Sequence, residues 1–131
     1  MVMVRDGQLS YGVSPVAISE TLQANLPDAQ SEAKNDELLE ISFTAAQVLY
    51  QLKTRCEENF TRALFIDYGP EVTEFGDTLQ ALKRHEKVGV FSDPGNTDLT
   101  ARVDFDALIQ LSRNIDLAVT PAVHQLSLIH I

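Results

Sequence analysis

Arg62-Ala63-Leu64-Phe65-Ile66-Asp67-Tyr68-Gly69-Pro70 is the stretch that decides the fold class of this 131-residue chain. Residues 63–66 form an unbroken apolar run. Such a run fits a parallel strand of an α/β sheet, covered on both faces. It stops abruptly at an acid, a hydroxylated aromatic and a glycine. Ligands of open α/β sheets bind beyond the carboxyl ends of the strands, so Asp67, Tyr68 and Gly69 mark a candidate site. The same three residues would equally serve as the turn that ends a core strand.

Upstream, the pattern predicts a helix over residues 43–58. Ser42 is placed to cap it through its hydroxyl. Ala45, Val48, Leu49, Leu52 and Cys56 fall on one face, with Gln47, Gln51, Thr54 and Glu58 opposite. Asn59 is expected to end the helix in the left-handed conformation. Helix, short loop and buried strand make half of a βαβ unit. At the start of the chain, Asp6-Gly7 is a tight-turn dipeptide ahead of the alternating Leu9-Ser10-Tyr11-Gly12-Val13, which predicts a β-hairpin. Residues 17–26 have the pattern of a brief helix, and residues 30–37 that of a polar surface loop.

Downstream, residues 78–82 are ambiguous between strand and helix. Val88-Gly89-Val90-Phe91 reads as a strand. Asp93-Pro94-Gly95-Asn96 reads as a type II turn, with Pro94 fixing φ and Gly95 supplying positive φ. Residues 98–103 alternate as a strand does. Asp104 is placed to cap a helix over residues 105–113, with Phe105, Leu108, Ile109 and Ser112 inward. Leu117-Ala118-Val119 reads as a last short strand. The whole is α/β and incomplete, because the strand at 63–66 has no parallel neighbour in the chain.

A formal net charge of −9 speaks against a nucleic-acid groove and against docking on an anionic membrane. The single Cys56 rules out an internal disulfide, and its place on the helix face predicts a small buried hydrophobe. Nothing approaches the ~18 consecutive apolar residues of a membrane-spanning helix. The first five residues lack the apolar core and cleavage site of a signal peptide. There is no G-x-G-x-x-G, no P-loop and no nucleophile elbow. Asp67 with His85 or His124 would supply two thirds of a hydrolase triad, but no serine lies on a strand-to-helix elbow. The three histidines are scattered, and Asp98, Asp104 and Asp106 do not match a calcium loop.

A set of blocks then stands in order at close spacing: Ala63-Leu64-Phe65-Ile66-Asp67-Tyr68-Gly69, Gly76-Asp77-Thr78-Leu79-Gln80-Ala81, His85, Asp93-Pro94-Gly95, Asp98-Leu99-Thr100-Ala101 and Val103-Asp104-Phe105. Arg5-Asp6-Gly7-Gln8-Leu9 and Glu40-Ile41-Ser42 precede them. Over residues 5–125 the chain resembles the carboxyl-terminal half of the MidA-like family of S-adenosylmethionine-dependent methyltransferases. Phe43 stands where that family has a proline.

The resemblance implies a class I methyltransferase fold. Residues 1–125 would be the carboxyl-terminal part of one Rossmann-like domain, with the N-terminal hairpin attached. It implies S-adenosyl-L-methionine as cofactor and a protein substrate. Mitochondrial members are similar to arginine methyltransferases that modify a respiratory complex I subunit during assembly, so the implied location is mitochondrial in a eukaryote and cytoplasmic in a bacterium. The site it implies has Asp67 and Tyr68 as catalytic residues. Gly69, His85, Asp98, Thr100 and Asp104 would face the substrate.

The family's Glu-x-Gly-x-Gly cofactor loop would lie upstream and is not in this sequence, so no cofactor-binding residue is assigned. Residues 126–131, Leu-Ser-Leu-Ile-His-Ile, resemble translated sequencing adapter and are expected to be a non-native tail. A fragment of this kind is expected to fold poorly and not to methylate. The alternative is a small acidic protein-binding module without catalysis.

Overall fold

In the computed structural model, residues 1–18 and 26–128 are described. The expected helix over residues 17–26 and the last histidine, His130, fall wholly or largely outside them. The chain divides into two units. One comprises Met1–Ala24 and Thr78–Ala101, the other Asn25–Asp77 and Arg102–Ile131.

The first unit is antiparallel β structure. Val2–Arg5 (β1) pairs with Gln8–Tyr11 (β2), Val2 opposite Tyr11 and Arg5 opposite Gln8. Asp6 and Gly7 turn the hairpin with φ of 52° and 76°. Two positive φ values in a two-residue loop match the right-handed twist of the strands it joins, which is why Asp-Gly is found there. The amide of Gly12 and the amino terminus of Met1 each donate to the other's carbonyl, extending the ladder.

A three-stranded sheet follows, with Gln80–Lys83 (β3) between Glu86–Val88 (β4) and Asp98–Thr100 (β5). The ambiguous 78–82 region thus resolves as the central strand, and its Ala81 is buried. The strand read at 88–91 keeps only Val88, because the chain turns at Gly89, where Ser92 closes back onto the Gly89 carbonyl. Asp93 to Asn96 form the expected turn, with Gly95 at φ 88°. The Asp93 carboxylate accepts from the Asn96 amide at 2.9 Å and pairs with Lys83. Those hydrogen bonds, the Asn96 one foremost, hold its pKa below the ordinary 3.8. Tyr11 meets Phe91 edge to face, ring centroids 4.8 Å apart.

The second unit is helical. Phe43–Glu58 (α1) is capped by Ser42, whose hydroxyl accepts from the Ala45 amide at 3.2 Å. Phe105–Asn114 (α2) is capped by Asp104, whose Oδ1 accepts from the Ala107 amide at 2.9 Å. The two helices pack together, burying Leu49 of α1 and Ser112 of α2. Asp116 takes a left-handed φ of 59° after α2, and the Leu117 amide returns to the Ser112 carbonyl, a Schellman-type stop. A polar chain ties loops to α2. Asp106 Oδ2 accepts from the Thr73 hydroxyl and the Gln110 amide, and Gln110 Oε1 accepts from the Asp28 amide at 3.0 Å.

Several sequence expectations are corrected here. Residues 63–66 form no strand: Leu64 is 79% exposed and Ile66 74%. An apolar run becomes a strand only when neighbouring strands satisfy its amides and carbonyls, and the described residues offer it none. Residues 117–119 are irregular for the same reason. Asn59 ends α1 in extended backbone, φ −144° and ψ 152°, not in the left-handed conformation. Cys56 is exposed. Helix α1 runs about 24 Å at 1.5 Å per residue and α2 only about 15 Å, so α2 leaves part of the α1 stripe uncovered. The polar stretch 30–37 lies at the surface as expected, with a 3-10 helix over Asp28–Glu32 at its start.

Candidate functional site

Asp67, Tyr68 and Gly69 lie in the second unit, where the chain runs alongside the entry to α2. The Val103 amide donates to the Tyr68 carbonyl at 3.0 Å. Gly69 backs directly onto Val103, and a Cβ built on it would stand 1.8 Å from the Val103 carbonyl oxygen. Glycine is therefore required here by backbone proximity, not by turn geometry. The segment is held against Val103, and Asp104 is the next residue along.

Asp67 is exposed, and its Oδ1 accepts from the Tyr68 amide at 2.7 Å. Among the described residues its other oxygen has no hydrogen-bond partner. The Tyr68 ring is 75% exposed, and the Arg102 guanidinium lies over it at 5.6 Å. Arg102 Nη1 is also 3.0 Å from Glu74 Oε2. An aromatic face with a carboxylate beside it thus already holds a guanidinium, by cation–π attraction and a charge-assisted hydrogen bond. Sequence reasoning missed both Arg102 and Glu74. They lie 28 residues apart, and no local spacing signals the pair.

Asp104 is committed on one oxygen to capping α2. His85, Asp98 and Thr100 belong to the other unit. His85 is at the exposed tip of the β3–β4 hairpin, where Arg84 and His85 both adopt positive φ, 52° and 67°. Asp98 and Thr100 are two apart on the edge strand β5, exposed and on one face of it. The structure brings Asp67, Tyr68, Gly69 and the start of α2 together in one unit, and Asp98 with Thr100 in the other.

Behind Asp67 runs an apolar groove of about 220 Å³, lined by Ala45, Val48, Phe65, Ile66, Val103 and Leu108 among others. Sites that enclose a drug-sized ligand usually measure about 300–1,000 Å³ and carry several convergent polar groups. This groove is smaller, and Asp67 is the one charged residue on it. Among the described residues no group of three or more His, Cys, Asp or Glu could hold a metal ion. None of their helices is long and apolar enough to cross a membrane.

Residues 2–123 match a protein family described as "Putative S-adenosyl-L-methionine-dependent methyltransferase". The chain is also similar to curated proteins named protein arginine methyltransferase NDUFAF7, mitochondrial. Identity is 32% over 83 residues with the Danio rerio protein, covering 63% of this chain and 19% of the relative. It is 35% over 77 residues with that of Rattus norvegicus, covering 59% and 17%. With that of Xenopus laevis it is 35% over 68 residues, covering 52% and 15%. The matches thus span less than a fifth of the relatives' own length.

Proposed function

The chain belongs to the S-adenosyl-L-methionine-dependent methyltransferase family, and we propose that it contributes the acceptor side of a protein arginine methyltransferase. Residues 1–125 are then the carboxyl-terminal part of one Rossmann-like domain, and residues 126–131 lie outside it. The substrate is an arginine side chain of a protein, a subunit of respiratory complex I, and the place of action is the mitochondrion. What supports this reading is the match over residues 2–123 together with the arginine methyltransferase names of the relatives.

The residues of this chain do not fit the cofactor. Its six glycines include no G-x-G, so the glycine-rich turn that would cradle the cofactor is not among these residues. The groove behind Asp67 is apolar and small. No step through the cofactor is therefore derived, and the chemistry assigned to this chain is that of the acceptor.

In that chemistry Asp67 is the carboxylate that takes the substrate guanidinium. Two parallel N–H···O contacts would fix its plane and orient one nitrogen outward. A guanidino nitrogen must shed a proton as it gains a methyl group, and a carboxylate in contact favours that loss. Tyr68 supplies the aromatic face, a role supported by the guanidinium of Arg102 already resting on it. Gly69 allows the backbone approach that presents both side chains. Asp104, in the same unit as Asp67, is assigned to the substrate protein beside the arginine; His85, Asp98 and Thr100 keep the substrate-binding role that the family resemblance implies for them.

The test is Asp67→Asn in the full-length gene product. Methyl transfer to arginine peptides should fall at least tenfold (about 1.4 kcal/mol in the barrier), with the melting temperature unchanged. Undiminished turnover would refute the role. A second reading is an acidic binding module without catalysis, which the formal net charge of −9 favours. Full-length protein that shows no binding of S-adenosyl-L-methionine in calorimetry would support that reading over the first.

A further inference from the structure

Arg102 is set beside Tyr68 by main chain. Its neighbour Val103 donates its amide to the Tyr68 carbonyl at 3.0 Å, and Gly69 backs onto the Val103 carbonyl. The Arg102 guanidinium lies over the Tyr68 ring at 5.6 Å, and its Nη1 is 3.0 Å from Glu74 Oε2. Glu74 is held in turn through Thr73, which is buried. The Thr73 amide and hydroxyl both donate to Asp106 Oδ2, in the first turn of α2, at 3.5 and 3.3 Å. Ring, carboxylate and guanidinium are therefore all tied to the entry of α2, within one unit.

A ring face and a carboxylate edge are the two things that recognise a guanidinium. The ring takes the flat face of the cation, and the carboxylate takes its N–H groups. Given the acceptor role proposed for Tyr68, we infer that Arg102 is a built-in occupant of the acceptor-arginine site, which the substrate arginine displaces from the ring. Arg102 carries the same head group as that substrate, so the two compete for one face. Its hold is light. The Arg102 and Glu74 side chains are 42% and 59% exposed, and exposed ion pairs and exposed cation–π contacts are each weak and reversible. An occupant of that kind does not block the site. It raises the apparent dissociation constant of the substrate by the inverse of the fraction of time the face is free.

The experiment titrates full-length gene product with acetyl-arginine-methylamide, a probe with a single guanidinium, followed by heteronuclear NMR. It reads binding, not turnover. Arg102→Gln removes the occupant and should tighten probe binding about three- to tenfold. Arg102→Lys keeps the charge but loses the planar fork, so it should tighten binding by about twofold without any change in net charge. In a Tyr68→Leu background there is no ring to compete for, and Arg102→Gln should then gain less than about twofold. Unchanged binding in Arg102→Gln overturns the inference, because the substrate then uses a face that Arg102 does not occupy. Weaker binding overturns it too, since Arg102 would then be a clip that shapes the site. A gain that persists undiminished in Tyr68→Leu reduces the effect to charge repulsion and also overturns it. A probe that binds neither wild type nor Arg102→Gln refutes the acceptor-arginine reading itself, and the occupant with it, so the two failures are told apart.

Discussion

Gly69→Ala is the most severe single-atom perturbation that the structure identifies. The added Cβ would stand 1.8 Å from the Val103 carbonyl oxygen, 2.8 Å from its carbon and 3.1 Å from its nitrogen. A tolerable carbon–oxygen contact begins near 3.3 Å, so the two backbones must part by about 1.5 Å. Both are main chain, and no side chain can swing aside to absorb the shift. The 3.0 Å bond from the Val103 amide to the Tyr68 carbonyl would be lost with it. That bond is worth about 1 kcal/mol net, and forcing packed backbone apart costs about 1–3 kcal/mol more. The expected loss is about 2–4 kcal/mol. Urea denaturation followed by circular dichroism at 222 nm reads it, since helices α1 and α2 lie in the same unit. The midpoint should fall while the slope is kept. Gly89→Ala is the control: its nearest neighbour would be the Ser92 Cβ at 3.9 Å, and it should cost under about 0.5 kcal/mol. Equal midpoints for the two variants would refute the reasoning.

Asp104→Ala removes the cap of α2 and should cost about 1 kcal/mol, while Asp104→Asn should keep most of it. Urea midpoints of the pair check this, and an equal loss in both would point away from capping. Asp93 gives a pH signature. Its folded pKa lies below the ordinary 3.8, so its contribution is fully present above that value and is lost as pH falls through the folded pKa. The melting temperature of the wild type should therefore drop more steeply below pH 4 than that of Asp93→Asn. Parallel acid limbs would remove the Asn96 and Lys83 hydrogen bonds from the account.

What was legible in the sequence is what is decided locally. Ser42 and Asp104 each accept an amide three residues on, and both caps and both helices stand where the pattern set them. Asp6-Gly7 carries its own turn preference, and the hairpin forms around it. The run at 63–66 needed something else, a partner strand, and apolar composition cannot supply one. Cys56 continues a helical stripe correctly, but whether a stripe is covered depends on the length of the other helix. The candidate site divides along the same line. Asp67, Tyr68 and Gly69 were visible because an apolar run ends on them. That Gly69 is demanded by the Val103 carbonyl, and that Arg102 rests on Tyr68, follows from segments far apart in the chain. Arg84 and His85 turn a hairpin in a conformation that glycine or asparagine would favour, and nothing in their sequence announces it.

The interleaving of the two units carries a consequence for synthesis. The chain leaves the helical unit after Asp77 and returns at Arg102. Helix α1 is complete at Glu58, but the helix that packs on it is complete only at Asn114. At about 5–20 residues per second on the ribosome, the apolar stripe of α1 waits roughly 3–11 s for its cover. During that interval Leu49 and its neighbours are open to whatever chaperone stands at the tunnel exit, and a pause in translation within residues 78–101 would lengthen their exposure in proportion.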